Sequence, residues 1–153
     1  MSYAAVIHGA KGIIWYTYGS RKYVPGEKLK KGGYGVNSTP ERWKIITALA
    51  REFKQLAPVL TSRTPEKQPQ IPTVISGPTQ DYYGEPSISC LLKKHNGKNY
   101  LFAVNAVRKP VSAQFRLPGF NQGKVLFENR SIQVKNGILS ENFKPYEVHV
   151  YEF

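Results

Sequence analysis

The side chains best suited to chemistry are ten acids, three histidines and one cysteine. Acid–base work by a carboxyl pair needs one group kept neutral and the other ionised, each by its own surroundings. The nearest pair is Asp81 and Glu85, in the turn Asp81-Tyr-Tyr-Gly-Glu85-Pro86, and nothing in the sequence separates their environments. Carboxylates in turns more often serve the turn itself. His8, His95 and His149 lie far apart and lack ligand spacing, so no metal site is expected. Cys90, the single cysteine, excludes an internal disulfide, and its setting Ile88-Ser-Cys-Leu-Leu92 is that of a buried strand thiol. No Gly-x-Ser-x-Gly elbow occurs, and Gly32-Gly33-Tyr34-Gly35 lacks the Gly-Lys-Ser/Thr of a phosphate loop. The chain is therefore expected to hold no catalytic residue and to use no cofactor.

Aromatics are the remaining chemistry. Ten tyrosines, seven phenylalanines and two tryptophans suit stacking on the C–H faces of sugars, although most must fill the core. Tyr82 and Tyr83, adjacent in a turn, are the pair least explained by a core, and they are candidates for an exposed sugar contact.

The elements that position these residues change character along the chain. Tyr3–Ile7 reads as the end of a helix packed by small residues, with Gly9 as its stop. Ile13–Tyr18 is an uncharged run bounded by glycines, the pattern of a strand buried on both faces. Residues 21–37 form a Gly- and Lys-rich loop, longer than the roughly 12–15 residues of ordinary connections, which is either a bare connector or the wall of a cleft with Tyr23 and Tyr34 as further contacts. Ser38-Thr-Pro-Glu41 then starts a helix over 40–57. Its apolar face is Trp43, Ile46, Ala50, Phe53 and Leu56–Ala57, and Pro58 is expected to end it. Residues 58–72, with four prolines, read as a stiff linker. From Thr73 the period is two, with a hairpin turn at Asn96-Gly97 and a second tight turn at Asn136-Gly137, which predicts an antiparallel sandwich over 73–153.

The stretch His8-Gly-Ala-Lys-Gly-Ile-Ile-Trp-Tyr-Thr-Tyr-Gly-Ser20 resembles the eighth strand of the catalytic barrel of large glycoside hydrolases. There a helix, a glycine turn and an apolar strand ending in Trp follow one another. The resemblance covers the first 20 residues, extends loosely to the helix at 40–57, and likens the later half to the β-sandwich that often follows such a barrel. It implies that 1–57 is the last strand–loop–helix unit of a (β/α)8 barrel and 73–153 an accessory domain. The resulting fold class is mainly β with one α-helix. By the same resemblance Trp15 is the candidate sugar platform, with Tyr16 and Tyr18 as weaker candidates; the alternative is that Trp15 packs against the helix carrying Trp43. The acid/base and nucleophile of such enzymes come from the fourth and seventh strands, which would precede Met1, so no catalytic residue is carried over. The implied partners are a carbohydrate and the missing N-terminal barrel, with a parent enzyme that is secreted or periplasmic. The rival is a free-standing carbohydrate-binding module, whose Ile13–Tyr18 strand would be paired rather than left open.

Composition limits the alternatives. A formal charge of +12, from 22 Lys and Arg against 10 acids, raises the question of nucleic acid. The basic residues are not gathered into one stripe and no nucleic-acid motif accompanies them, so that partner is disfavoured. No apolar run approaches the ~20 residues that span a bilayer, and no membrane partner is expected.

Overall fold

A computed structural model describes residues 1–16, 35–37 and 39–153. The described chain forms two helices, α1 (Ser2–Ile7) and α2 (Pro40–Thr61), and eight strands. The strands are β1 (Thr73–Ser76), β2 (Ile88–His95), β3 (Lys98–Asn105) and β4 (Val111–Arg116), then β5 (Gln122–Val125), β6 (Arg130–Gln133), β7 (Ile138–Phe143) and β8 (Val148–Glu152). One sheet has the order β1-β4-β7 and the other β2-β3-β8-β5-β6, all pairs antiparallel. The mainly β, antiparallel sandwich expected from the alternation is the observed architecture. Two compact units are present: Met1–Lys11 with Pro58–Phe153, and Gly12–Ala57.

The larger unit buries its core between the sheets. Side chains alternate along a strand, so Leu101 and Ala103 of β3 and Tyr151 of β8 meet Val111, Ala113 and Phe115 of β4 and Phe143 of β7. The Phe115 ring lies 6.1 Å from Phe143 and 6.5 Å from Tyr151. Both Asn-Gly dipeptides take the positive φ that tight turns demand: 47° and 77° at Asn96 and Gly97, which join the paired β2 and β3, and 52° and 73° at Asn136 and Gly137, where the chain passes from β6 in one sheet to β7 in the other.

β3 is buried at every position from Tyr100 to Asn105. Its second face, Tyr100, Phe102 and Val104, is covered because α1 packs on β2 and β3 with Tyr3, Val6 and Ile7 buried. The α1 helix ends as its glycine predicts. Gly9, at φ 101°, donates to Val6 O and Ala10 donates to Ala5 O, which satisfies two end carbonyls.

Three expectations are corrected. First, Gly12–Tyr16 belongs to no helix or strand, with Ile14 95% and Tyr16 92% exposed. A doubly buried strand exists only where neighbours take its backbone hydrogen bonds on both edges. None of the described strands pairs with this segment. Second, α2 passes through Pro58 to Thr61. An interior proline costs about 3 kcal/mol, and the extra turn buries Val59 and Leu60, each worth about 1.5–3 kcal/mol. Third, Trp43 is not core: it is 42% exposed on the outer turns of α2, beside Ile45 at 60%.

The remainder of the supposed linker lies along β2. The Gln68 side chain accepts from Leu92 N at 2.8 Å and donates to Leu92 O at 3.1 Å, occupying the open edge of that strand. Lys93, buried, donates to Ser62 O and, at 3.1 Å, to Thr64 Oγ1. Burial, followed by the neighbouring Lys11, holds its amine below the usual lysine value. Thr39 is the α2 cap, its hydroxyl accepting from Arg42 N at 3.1 Å ahead of Pro40 at the first helical position.

Candidate functional site

The Tyr82–Tyr83 turn stands free on the larger unit. Asp81 builds it: its carboxylate accepts from Tyr83 N at 2.8 Å and Glu85 N at 3.0 Å, while Asp81 N donates to Glu85 O at 2.8 Å. Gly84 at φ 83° closes the loop. Asp81 is thus a turn former, as expected of its sequence context, and its carboxylate is aimed at backbone rather than outward. The two rings meet edge to face with centroids 5.3 Å apart, and Tyr82 and Tyr83 are 95% and 84% exposed. Two phenol rings held out by a hydrogen-bonded turn can stack on a C–H face and donate or accept through their hydroxyls.

The other aromatic candidates lie in the Gly12–Ala57 unit. Trp15 is half-buried, its ring 6.2 Å from Phe53 of α2, so it packs on the helix. Tyr16 is exposed one residue later. Tyr18, Tyr23 and Tyr34 lie outside the described residues. Cys90 is half-buried on the sandwich core, and burial pushes its thiol up to about 11.

A cluster that the sequence did not announce sits at the edge of the core. Arg130 Nε bonds Glu128 Oε2 at 2.8 Å and Arg130 Nη1 bonds Glu141 Oε2 at 3.0 Å. Glu141 Oε2 also accepts from Tyr151 OH at 3.1 Å, and Glu128 Oε1 lies 2.5 Å from His149 Nδ1. The His149 ring lies 4.7 Å from that of Phe143, tilted to it by 41°, and its buried Nε2 has no hydrogen-bond partner among the described residues, with Glu147 Oε2 3.7 Å away. Burial works against the Arg130 charge, but its bonds to Glu128 and Glu141 outweigh that and raise its pKa. Burial, with Glu141 beside it, drives the Tyr151 phenol well above its ordinary value. Both carboxylates are committed to one guanidinium, so the cluster braces the sandwich instead of presenting an acid and a base to a substrate. Only spacing in three dimensions reveals it, because its members come from β6, β7, β8 and the β5–β6 turn.

The fold has counterparts among solved structures. It is similar to part of AmyP in complex with maltose (TM-score 0.53, 13% identity), covering 80% of this chain and 23% of that one. A variant of AmyP in complex with maltotriose gives a TM-score of 0.54 at 14% identity, over 76% of this chain and 22% of that one. A beta-galactosidase from Bacillus circulans sp. alkalophilus aligns at TM-score 0.35 and 16% identity, over 78% of this chain and 13% of that one. The chain thus spans under a quarter of the length of these proteins. No protein-family model and no curated protein matches the sequence.

Proposed function

We propose that this chain is the C-terminal part of a carbohydrate-active enzyme of the glycoside hydrolase class. In this reading residues 1–57 are the last strand–loop–helix unit of a barrel, 58–72 a linker, and 73–153, the sandwich, an accessory domain. The observation that carries the reading is the state of the apolar segment before the long loop. Ile14 and Tyr16 are 95% and 92% exposed, and no described strand pairs with them. Burying two such side chains is worth about 1.5–3 kcal/mol each, which neighbouring barrel strands would supply. A free-standing binding module with a paired, adapted strand fits this exposure less well. The sandwich resembles part of AmyP, whose bound maltose and maltotriose support a saccharide as the ligand class. Tyr82 and Tyr83 are the proposed contact on the sandwich, and Trp15 and Tyr16 the proposed former lining of the barrel cleft.

The reading is tested in two ways. The genomic sequence upstream of Met1 should continue in frame into a barrel with paired carboxylates; a stop codon followed by an unrelated gene refutes the parent enzyme. The chain alone should turn over no chromogenic glycoside, and Tyr82→Ala with Tyr83→Ala should weaken retention on immobilised polysaccharide. Retention untouched by that double substitution removes the tyrosines from the sugar contact.

A further inference from the structure

We infer that the outer face of the three-stranded sheet binds a neutral saccharide, in a shallow groove where Ser112, Asn142, Gln114 and Ser140 align beside the exposed Ile75. The inference rests on the carbohydrate reading above and adds a second site, away from the tyrosine turn.

Alternation along β4 turns Val111, Ala113 and Phe115 into the core and leaves Ser112 and Gln114 facing out. Antiparallel pairing with β7 sets Ser112 opposite Asn142 and Gln114 opposite Ser140. Ser112 Oγ bonds Asn142 Oδ1 at 2.7 Å and Gln114 Nε2 bonds Ser140 Oγ at 3.3 Å, so each pair is held at a fixed position on the sheet. On the other side, β1 extends both rows: Thr73 faces Gln114 and Ser76 faces Ser112. The register slips between Val74 and Ser76, and the residue at the slip, Ile75, is 59% exposed at the groove wall. The depression is about 260 Å³.

The chemistry of this lining is selective. Glu141 contributes to the floor, but its carboxylate is bonded to Arg130 and Tyr151. What remains is hydroxyl and amide, each able to donate and accept, on a chain with a formal charge of +12. A polyanion would seek the lysines, whereas a ligand made of neighbouring hydroxyls matches the groove group for group. Ile75 supplies the apolar contact that the C–H face of a sugar ring requires. Edge strands usually carry lysine against unwanted pairing. β1, Thr-Val-Ile-Ser, carries none and relies on its bulge, which also interrupts the ladder an incoming peptide strand would need.

The test is an amide chemical-shift titration of the full chain with maltotriose, cellotriose, xylotriose and a heparin tetrasaccharide in turn. One neutral trisaccharide should shift the amides of 112–114 and 140–142. Gln114→Ala and Asn142→Ala should each weaken its binding about tenfold, the loss of one hydrogen bond of ordinary strength. Shifts confined to the Tyr82–Tyr83 turn, with affinity unchanged in both variants, overturn the groove and leave the carbohydrate reading standing. Shifts with heparin alone overturn it in favour of a polyanion. No shift with any of the four also overturns it, while the parent-enzyme reading is still judged by the upstream reading frame.

Discussion

Replacing Arg130 by alanine should destabilise the sandwich by about 2–3 kcal/mol. Removing one partner of a fully buried ion pair costs about 3–5 kcal/mol, because the other charge is left unpaired in low dielectric. A fully exposed pair costs about 0–1 kcal/mol. Arg130 lies between these limits: its side chain is 34% exposed, while those of the carboxylates it joins are 28% exposed at Glu128 and 13% at Glu141. Among the described residues, Glu141 retains the Tyr151 hydroxyl after the substitution, and Glu128 retains His149. Lysine at 130 restores the charge but not the fork, so it should recover only part of the loss. Adding Glu141→Gln to Arg130→Ala should regain stability, since it removes the stranded charge. Urea unfolding followed by far-ultraviolet circular dichroism is the assay, because Trp15 and Trp43 both lie in the Gly12–Ala57 unit and would not report the sandwich. A loss below about 0.5 kcal/mol for Arg130→Ala, or no recovery in the double variant, refutes the view that the guanidinium holds two desolvated carboxylates in place.

Three further outcomes are expected. Burial opposes ionisation of Glu152, but hydrogen bonds from Lys124, Lys98 and Tyr100 outweigh it and hold its folded pKa below the usual value. Its stabilisation is therefore complete above the unfolded carboxyl pKa of about 4.3 and is lost as pH falls through the lower folded value. In acid-unfolding curves Glu152→Gln should flatten that limb, and an unchanged limb contradicts the assignment. Gly77→Ala should cost several times the ~1 kcal/mol of an ordinary glycine change: Gly77 sits at φ 98°, and an added Cβ would meet Pro110 O at 2.4 Å. Thermal melting decides this, and a variant as stable as the parent would show that the backbone yields freely there. Cys90, its thiol raised to about 11, should react with a disulfide reagent at pH 8 only after denaturant is added. Fast labelling of the native chain would mean that the strand opens.

Local pattern alone determined much of the sandwich. Asn96-Gly97 dictates the β2–β3 hairpin and Asn136-Gly137 a tight turn because their positive φ suits few other residues, and period-two runs around them specify which face turns inward. Gly9 stops α1 for a similar local reason. The Asp81 turn was legible too, since an aspartate bonding backbone two residues on needs no distant partner. Tertiary structure decided whatever depends on neighbours. Ile13–Tyr18 has the composition of a buried strand, yet a strand needs edges to pair with, composition cannot supply them, and its described part, Ile13–Tyr16, is unpaired among the described strands. Proline at 58 should end α2, but burial of Val59 and Leu60 carries the helix a turn farther. His149 alternates with valines in β8, and alternation by itself does not say what its face meets. Only the approach of Phe143 from β7 and Glu128 from the β5–β6 turn places it inside. The Arg130 cluster and the neutral groove have the same origin. Each gathers residues separated along the chain by sheet register, and register is set by the packing of the whole core.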